Sequence, residues 1–284
     1  MQANLGFRSC LACLPSLMTR SLYKLLVLFL SIQWFQSTSA VKFAFNGFNT
    51  PEFLLYGTAK LDSAAVSLTQ DTTFSIGRAL YHSKISTRHP NSSTLRSFKT
   101  SFTFSITPYK NNLAGHGLVF IFAPSTGIQG AAASQHLGFL NRTNDGDPNN
   151  HILGIEFDVF KNQEFSDIND NHVGLNVNSL TSLTSYKAGY WFEKSTKNIQ
   201  NKTNWNFHEL KLNNGAIYRV WIDYGDSILG VRMAPLKMKK PRWPLLNVLI
   251  DLSDVFLDEM YVGFSAATGK LIENHKILSW SFSN

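Results

Sequence analysis

The sequence predicts an all-β fold, a sandwich of two large antiparallel sheets. Residues 97–106 alternate polar and apolar side chains, the period of a strand with one face on a core. Apolar segments of strand length, separated by turn residues, recur about every ten residues, which is typical of sandwiches. No amphipathic helix of useful length appears, although residues 252–260 could form a turn or two. At 284 residues without a low-complexity segment, the chain fits one large β domain.

Residues 1–40 have the features of a secretory signal peptide. They contain no acid and three basic residues, Arg8, Arg20 and Lys24. The apolar run Leu25–Phe35 follows, and small residues lead up to Ala40. The run is too short for a comfortable membrane span. We therefore expect cleavage after Ala40, a folded domain over residues 41–284, and a secreted protein with no transmembrane segment in the mature chain.

The cysteines and the glycosylation motifs agree with secretion. Cys10 and Cys13 both lie within the signal peptide, so the mature domain has no disulfide and depends on a large core. Three Asn-X-Ser/Thr sequons predict N-glycosylation at Asn91, Asn141 and Asn201.

The positive charge does not predict a nucleic-acid partner. Removing residues 1–40 lowers the formal charge from +7 to +4, since three basic residues and no acid leave with them. The one basic cluster, residues 237–242, reads as a solvated turn between strands. No zinc finger, aromatic RNA motif or phosphate loop accompanies it.

Further strands follow along the chain. Residues 118–123 and 154–160 have few polar positions, as strands buried between layers do. Asn213-Asn214-Gly215 separates residues 207–212 from 216–224 and predicts a hairpin, and the turn at Gly225-Asp226 leads into another strand at 228–233. We assign the following aromatic residues to the core: Phe102, Phe104, Phe120, Phe122 and Trp280.

The segment Gly154–Ser179 carries the strongest functional signal. On a strand, Glu156, Asp158 and Phe160 leave the same face, while the apolar residues between them take the buried side. Two carboxylates on one face repel each other, and a bound cation is the simplest remedy. The segment thus predicts a metal site.

The other residues of the segment suggest which ions bind. Carboxylates, the Asn162 amide and a backbone carbonyl suit Ca²⁺, whereas an imidazole from His172 suits a first-row ion such as Mn²⁺. Asp158 and Asp167 could bridge two ions. A loop rich in Asn and Asp can also be a simple turn, but five such residues in this spacing favour a metal site.

The same residues resemble a known family. The spacing E-x-D-x-F-x-N, with Asp167 and His172 at further steps of five and then VGLNVNS, is similar to the metal loop of the legume (L-type) lectins. Four other segments occur in the family's order: 97–106, 115–124, 261–269 and 277–282. The segments DINDNHVG and GHG most resemble those of the extracellular lectin domain of plant lectin receptor kinases. The resemblance implies such a lectin domain without the kinase.

The resemblance implies a fold, a location and a partner. The fold would be the legume-lectin (concanavalin-like) jelly roll, with the first strand, 43–48, beside the last, 277–282. The protein would act in the apoplast as a non-catalytic domain that binds a glycan or glycoconjugate, in recognition or plant defence. Sheet edges and faces of this fold also allow homo-oligomers.

The resemblance implies two sets of metal ligands. The Mn²⁺ ligands would be Glu156, Asp158, Asp167 and His172. The Ca²⁺ ligands would be Asp158, Asn162, Asp167 and the carbonyl of Phe160. Asp170 is an alternative to Asp167, although it breaks the family spacing.

The implied carbohydrate-binding residues are Asn162, Phe160, His116 and Ser134. Asn162 could bind calcium through its oxygen while its NH₂ group donates to a sugar hydroxyl, and the Phe160 ring could support a pyranose. His116 stands where sugar-binding relatives have Asp, and Ser134 where they have Gly. Neutral imidazole offers one acceptor where a carboxylate offers several.

Two alternative functions remain open from the sequence. The change from Asp to His116 would also suit a metal-braced interaction domain that has lost simple-sugar binding. A glucanase on the same jelly roll would need E-x-D-x-E with two suitably spaced carboxyls. Here Phe160 takes the last position and Glu164 lies past the strand, so the acid/base is missing.

Overall fold

The structure, a computed structural model, describes residues 40–48, 52–111, 115–194 and 204–284. Eighteen strands lie within these ranges: β1 Lys42–Asn46, β2 Phe53–Gly57, β3 Lys60–Asp62, β4 Ala65–Ser67, β5 Ile76–Tyr81, β6 Ile85–Ser86, β7 Phe98–Pro108, β8 Gly117–Ala123, β9 Leu153–Asp158, β10 His172–Val177, β11 Thr184–Lys187, β12 Gly189–Lys194, β13 Asn204–Glu209, β14 Tyr218–Gly225, β15 Ile228–Pro235, β16 Leu246–Leu249, β17 Glu259–Ala267 and β18 Glu273–Ser283. Helix in these ranges is limited to three-residue 3₁₀ segments at Tyr109–Asn111, Ser134–His136, Pro148–Asn150 and Gln163–Phe165.

The strands form two eight-stranded antiparallel sheets, as the sequence predicts. Sheet 1 has the order β16-β15-β14-β7-β18-β4-β3, and β1 also pairs with β18. Sheet 2 has the order β11-β10-β9-β8-β17-β5-β2, and β6 also pairs with β17. Strands β12 and β13 form a separate ribbon. The described residues contain no helix that is apolar and long enough to cross a membrane.

The core lies between the two sheets and is rich in aromatic rings. The five aromatic residues assigned to the core from sequence are each at most 1% exposed. Phe102 of sheet 1 lies edge-on to Phe264 of sheet 2, with 4.9 Å between ring centroids. Such edge-to-face contacts add to the stabilisation from burying apolar area.

Strand β18 fixes the two ends of the sandwich. At one end of β7, Lys99 pairs with Ser283, and Ser283 also pairs with Lys42 of β1, so the predicted pairing of the first and last strands is confirmed. At the other end of β7, Pro108 pairs with Glu273. The Glu273 charge acts on Asp158 at the end of β9, so the predicted metal segment lies at this second end.

One local prediction is corrected by the structure. Residues 207–212 and 216–224 do not form a hairpin, since β13 pairs with β12 while β14 pairs with β7 and β15. On the face of β7 that points away from the core, Thr103 and Ser105 are buried. The turn expected within residues 252–260 is present, since Val255 N and Phe256 N both donate to the carbonyl oxygen of Leu252.

The predicted turn at Gly225-Asp226 is confirmed. It connects β14 to β15, and Gly225 pairs with Ile228 across it. Asp226 and Ser227 have φ of 50° and 58°, the left-handed pair of a two-residue hairpin turn whose twist matches the strands.

Candidate functional site

A buried carboxylate, Glu156, lies where β9 runs beside β10. It stands opposite Gly174 in the strand register. A Cβ on Gly174 would lie 2.3 Å from Glu156 Oε1 and 2.0 Å from Ser182 Oγ, so the missing side chain makes room for the carboxylate. Glu156 Oε2 accepts a hydrogen bond from Asn176 Nδ2 at 3.0 Å, and Oε1 accepts one from Ser182 Oγ at 2.5 Å. These bonds hold the carboxylate in one orientation.

His172 and Asp167 meet Glu156 at this point. His172 Nδ1 lies 2.9 Å from the carbonyl oxygen of Asn169, which accepts its proton. Nε2 then points at Glu156 Oε1, 3.2 Å away, and at Asp167 Oδ1, 3.9 Å away. Ligand atoms of these three residues all lie within 4.8 Å of one another. A metal-binding histidine usually donates its other ring N–H to a group such as a backbone carbonyl, and this hydrogen bond fixes the tautomer.

The electrostatics of the cluster favour a bound positive charge. Burial, followed by the charge of Glu156, raises the pKa of Asp158 well above 3.8. Burial raises the pKa of Asp167 to about 6, although the backbone N–H of Asn162 opposes the shift. Burial alone would lower the pKa of His172, but the hydrogen bond and charge of Glu156, with Asp167, raise it above 6.5. Burial thus penalises the charge on both aspartates, while neighbouring carboxylates favour a proton on His172, and a divalent cation would supply the missing positive charge.

Residues 159–171, which connect β9 to β10, form a loop that we call the metal loop. Asp158 Oδ1 accepts a hydrogen bond from Phe160 N at 2.6 Å, and Asp167 Oδ2 accepts one from Asn162 N at 2.6 Å. Asn162 Oδ1 is buried and finds no hydrogen-bond partner among the described residues. A buried amide oxygen without a donor is costly, and a hard cation would satisfy it. The donor set therefore fits Ca²⁺.

The structure distinguishes between Asp167 and Asp170, the two acids considered as metal ligands. Asp167 lies beside His172, whereas Asp170 is exposed and outside the three-residue group. Asp158 is buried beneath the metal loop but is not among the three residues whose ligand atoms converge.

His116 lies at the start of β8, against the metal loop. Its carbonyl oxygen accepts a hydrogen bond from Val159 N at 3.0 Å, and its ring centroid is 5.0 Å from that of Phe160. Nδ1 is buried without a partner among the described residues. Burial, with smaller effects from His275 and His136, lowers the pKa of His116 to about 4. The imidazole is thus neutral at physiological pH, with one donor and one acceptor nitrogen.

Ser134 and Gly269 lie against His116. A Cβ on Gly269 would lie 2.4 Å from His116 Nε2 and 2.9 Å from Ser134 Oγ, so both polar groups converge there. Ser134 has φ of 62° and His116 has φ of 86°, backbone conformations that favour glycine. Such strain is often found at ligand-binding positions. We call His116, Ser134, Phe160 and Asn162 the His116 pocket.

Several supporting residues were missed from the sequence. Arg78 of β5 is buried and donates to the carbonyls of Gly127 and Gly138 at 2.8 and 2.6 Å, which ties down the loop that carries Ser134. Glu273 and His275 are wholly buried, and His275 Nε2 lies 2.8 Å from Glu273 Oε1. Their alternation on the last strand, E-x-H, was the available signal, since it directs both side chains into the core.

The predicted glycosylation sites differ in their surroundings. Asn91 is exposed, with φ of 54°. Asn141 is half-buried, and its Nδ2 donates to the carbonyl oxygen of Gly130 at 2.9 Å. Asn201, like the predicted signal peptide up to residue 39, lies outside the described residues.

Comparisons with known proteins agree with the fold. The family model described as "Legume lectin domain" matches residues 40–284. The chain is 51% identical over 267 residues to L-type lectin-domain containing receptor kinase VII.1 of Arabidopsis thaliana, covering 93% of this chain and 37% of that protein. A lectin-like protein of the same plant is 45% identical over 272 residues, covering 91% of this chain and 95% of that protein.

A solved structure has the same fold. Lectin II from Ulex europaeus superposes with a TM-score of 0.69 at 26% identity, covering 86% of this chain and 98% of that chain. Lectin UEA-II in complex with galactose superposes equally well, with a TM-score of 0.69 at 26% identity. These relatives favour a sugar-binding domain over the interaction domain without sugar binding, and the family is generally non-catalytic. The chain therefore belongs to the legume lectin domain family, which binds carbohydrates.

Proposed function

We propose that this domain is a secreted lectin that binds a glycan in the His116 pocket, and that Ca²⁺ and Mn²⁺ in the metal loop hold the pocket in shape. The observation that carries the proposal is Asn162, whose buried Oδ1 finds no partner among the described residues. Its amide would satisfy a cation on one side and a sugar hydroxyl on the other. The convergence of Glu156, Asp167 and His172 beside it supports the second ion.

Metal would act by organising donors rather than by chemistry. We assign Glu156, Asp158, Asp167 and His172 to Mn²⁺, and Asp158, Asn162, Asp167 and the Phe160 carbonyl to Ca²⁺. Each hydrogen bond to a sugar replaces one to water and contributes only about 0.5–1.5 kcal/mol, so a mobile loop would lose the gain. Bound cations would keep the loop rigid.

The rest of the pocket would bind the sugar directly. Asn162 Nδ2 donates to a hydroxyl, and the Phe160 ring, 36% exposed, offers an apolar face to a pyranose. His116, neutral at physiological pH, and Ser134 add one hydrogen bond each. We infer that the protein acts outside the cell, in glycan recognition of the kind used in plant defence.

A glycan array with and without chelator tests the proposal. We expect binding that EDTA abolishes and that added Ca²⁺ and Mn²⁺ restore. Asn162→Asp should keep the metals but lose glycan binding, because it replaces the NH₂ donor by an oxygen. Asn247→Asp, an exposed position on β16, is the matched control and should bind as the parent does. An array without binding by the metal-loaded protein would contradict the proposal.

A further inference from the structure

A groove is lined by residues that neighbour the His116 pocket along the chain. It has a volume of about 280 Å³ and is lined by Gln135, His136, Arg142, Asp145, Glu164 and Phe165. Gln135 directly follows Ser134, and Phe165 lies in the 3₁₀ segment that begins directly after Asn162. His136 is also close enough to His116 to help lower the pKa of that imidazole. A ligand longer than one sugar would therefore extend into this groove.

The two acids of the groove are already engaged by the protein. Asp145 Oδ1 accepts hydrogen bonds from Leu180 N at 2.7 Å and from Ser179 Oγ at 3.0 Å. Glu164 Oε1 accepts a hydrogen bond from Gln135 Nε2 at 3.1 Å. Both carboxylates thus have donors of their own, and within the described residues neither forms an ion pair with Arg142.

The cation of the groove is free by contrast. Arg142 is exposed, and its guanidinium has no hydrogen-bond or ion-pair partner within the described part of the chain. A guanidinium presents paired donors in a plane and matches a carboxylate in a bidentate arrangement. An unpaired arginine in a groove is suited to an anionic group on a ligand.

The groove also offers an apolar surface for a sugar ring. Phe165 is half-buried, and its ring lies edge-on to His136 with 6.0 Å between centroids. The faces of aromatic rings pack against the C–H groups of pyranoses. Phe165 and Arg142 together would contact the ring and the charge of one sugar residue.

His116 presents no negative charge to such a ligand. The family resemblance implies Asp at this position in relatives that bind simple sugars. A carboxylate there would repel a nearby acidic sugar. The imidazole does not repel it and can donate a hydrogen bond.

We propose that the groove is a second subsite and that the domain binds an acidic oligosaccharide, with the carboxylate of a uronic acid held by Arg142 and its ring on Phe165. The proposal rests on the proposed function, because the groove would extend the glycan site at the His116 pocket. It adds the chemical class of the glycan and the residue that selects it.

The test uses a matched pair of ligands, tetragalacturonate and its fully methyl-esterified form, titrated against the metal-loaded protein by calorimetry. We expect the acid to bind about tenfold more tightly than the ester, and the preference to shrink as salt is raised. Arg142→Gln should remove the preference while leaving the ester unaffected, and it keeps the sequon at Asn141. Arg242→Gln removes the same charge at an exposed position outside the groove and should change nothing.

The outcomes separate this inference from the proposed function. Chelator-sensitive binding of neutral glycans without a preference for the acid, or a preference that survives Arg142→Gln, would overturn the acidic subsite and leave the lectin function intact. Failure of every glycan to bind would overturn both. As a further check, His116→Asp should weaken the acid and strengthen neutral sugars.

Discussion

The ionisation state of Asp167 depends on whether a cation is bound beside it. Its side chain faces His172 and Glu156 with little access to water, and its pKa is raised to about 6. Without a cation, the charged form is destabilised by burial and by neighbouring acids. With a cation, the same charge becomes a ligand. The residue therefore couples metal binding to pH.

In the metal-free protein, the contribution of Asp167 to folding stability should fall as pH rises. The pKa of Asp167 is about 6 in the folded protein and near 3.8 when unfolded, so the folded state binds more protons between these values. The contribution is complete below about pH 4 and lost above about pH 6. Asp167→Asn cannot ionise, so in EDTA it should melt at a higher temperature than the parent above about pH 7, with the gain vanishing towards pH 4. A gain that is independent of pH would contradict this assignment.

At the scale of single residues, the sequence predicted the residues of the metal cluster but not the neighbouring residues that hold Glu156 in place. The period of a strand was enough to place Glu156 and Asp158 on one face, because strand geometry leaves no alternative. Gly174, Asn176 and Ser182 hold Glu156 from the neighbouring strand and the loop after it. Their role depends on strand register, which the sequence does not state.

At the scale of elements, the pairing of β9 with β10 builds the centre. Gly174 lies opposite Glu156, and a methyl group there would overlap both Oε1 and Ser182 Oγ. The strand backbone itself tolerates alanine, since Gly174 does not have a positive φ. The constraint is the space needed by a side chain on the next strand.

We predict that Gly174→Ala folds but binds Mn²⁺ at least tenfold more weakly, because it displaces Glu156 from His172 and Asp167. Metal content after dialysis, measured by elemental analysis, checks this. Gly225→Ala is the control, since a Cβ at Gly225 comes no closer than 3.5 Å to its nearest neighbour. Full Mn²⁺ content in Gly174→Ala would show that Glu156 is not a ligand.

The loop that carries Ser134 is held by a different element. Arg78 of β5 donates to its backbone carbonyls, and burial lowers the pKa of the guanidinium to about 10, so it stays charged at neutral pH. Carbonyl oxygens of Gly127 and Gly138 stabilise this charge. The loop geometry depends on these bonds because the loop has little regular structure of its own.

Arg78→Met should keep the aliphatic packing but leave the loop carbonyls without donors. We expect about 2–4 kcal/mol lower stability and weaker glycan binding, with metal content unchanged. Chemical denaturation and metal analysis would measure the two effects. Arg219→Met on β14 is the control. A loss of metal from Arg78→Met would show that the Ser134 loop and the metal loop are not independent.

The incorrect hairpin shows where element-level prediction fails. Asn213-Asn214-Gly215 has the composition of a tight turn, and strands do flank it. Gly215 N donates instead to the carbonyl oxygen of Ile106 at 2.9 Å, on β7, and the chain passes from the β12–β13 ribbon into sheet 1. Turn composition predicts a change of direction, while long-range pairing decides which strands become neighbours.

For the whole molecule, stability divides between the aromatic core and the metal end. Between the sheets, packed apolar residues need no ion. At the metal end, Glu156, Asp158, His172, Glu273 and His275 are buried together with their charges or dipoles. Apolar burial therefore stabilises most of the sandwich, and neutralisation by cations stabilises one end.

Chelation should lower the melting temperature without unfolding the domain at room temperature. An ion at about 1,000 times its dissociation constant adds about 4 kcal/mol to the folded state. Scanning calorimetry with EDTA, and again after Ca²⁺ and Mn²⁺ are restored, measures the difference. Mg²⁺ alone should restore less, because it demands stricter geometry. The same melting temperature with and without EDTA would contradict the metal site.

The pairing of β1 with the end of β18 determines how the lectin would be displayed on a surface. Lys42 and Ser283 are adjacent, while Glu273, at the other end of β18, is near the metal loop. An eleven-residue strand separates the two ends by roughly 35 Å. A tether joined beside Lys42 or Ser283 would consequently leave the metal loop at the end away from the anchoring surface, so a biosensor that captures the folded domain at either position should leave the His116 pocket open to the solution.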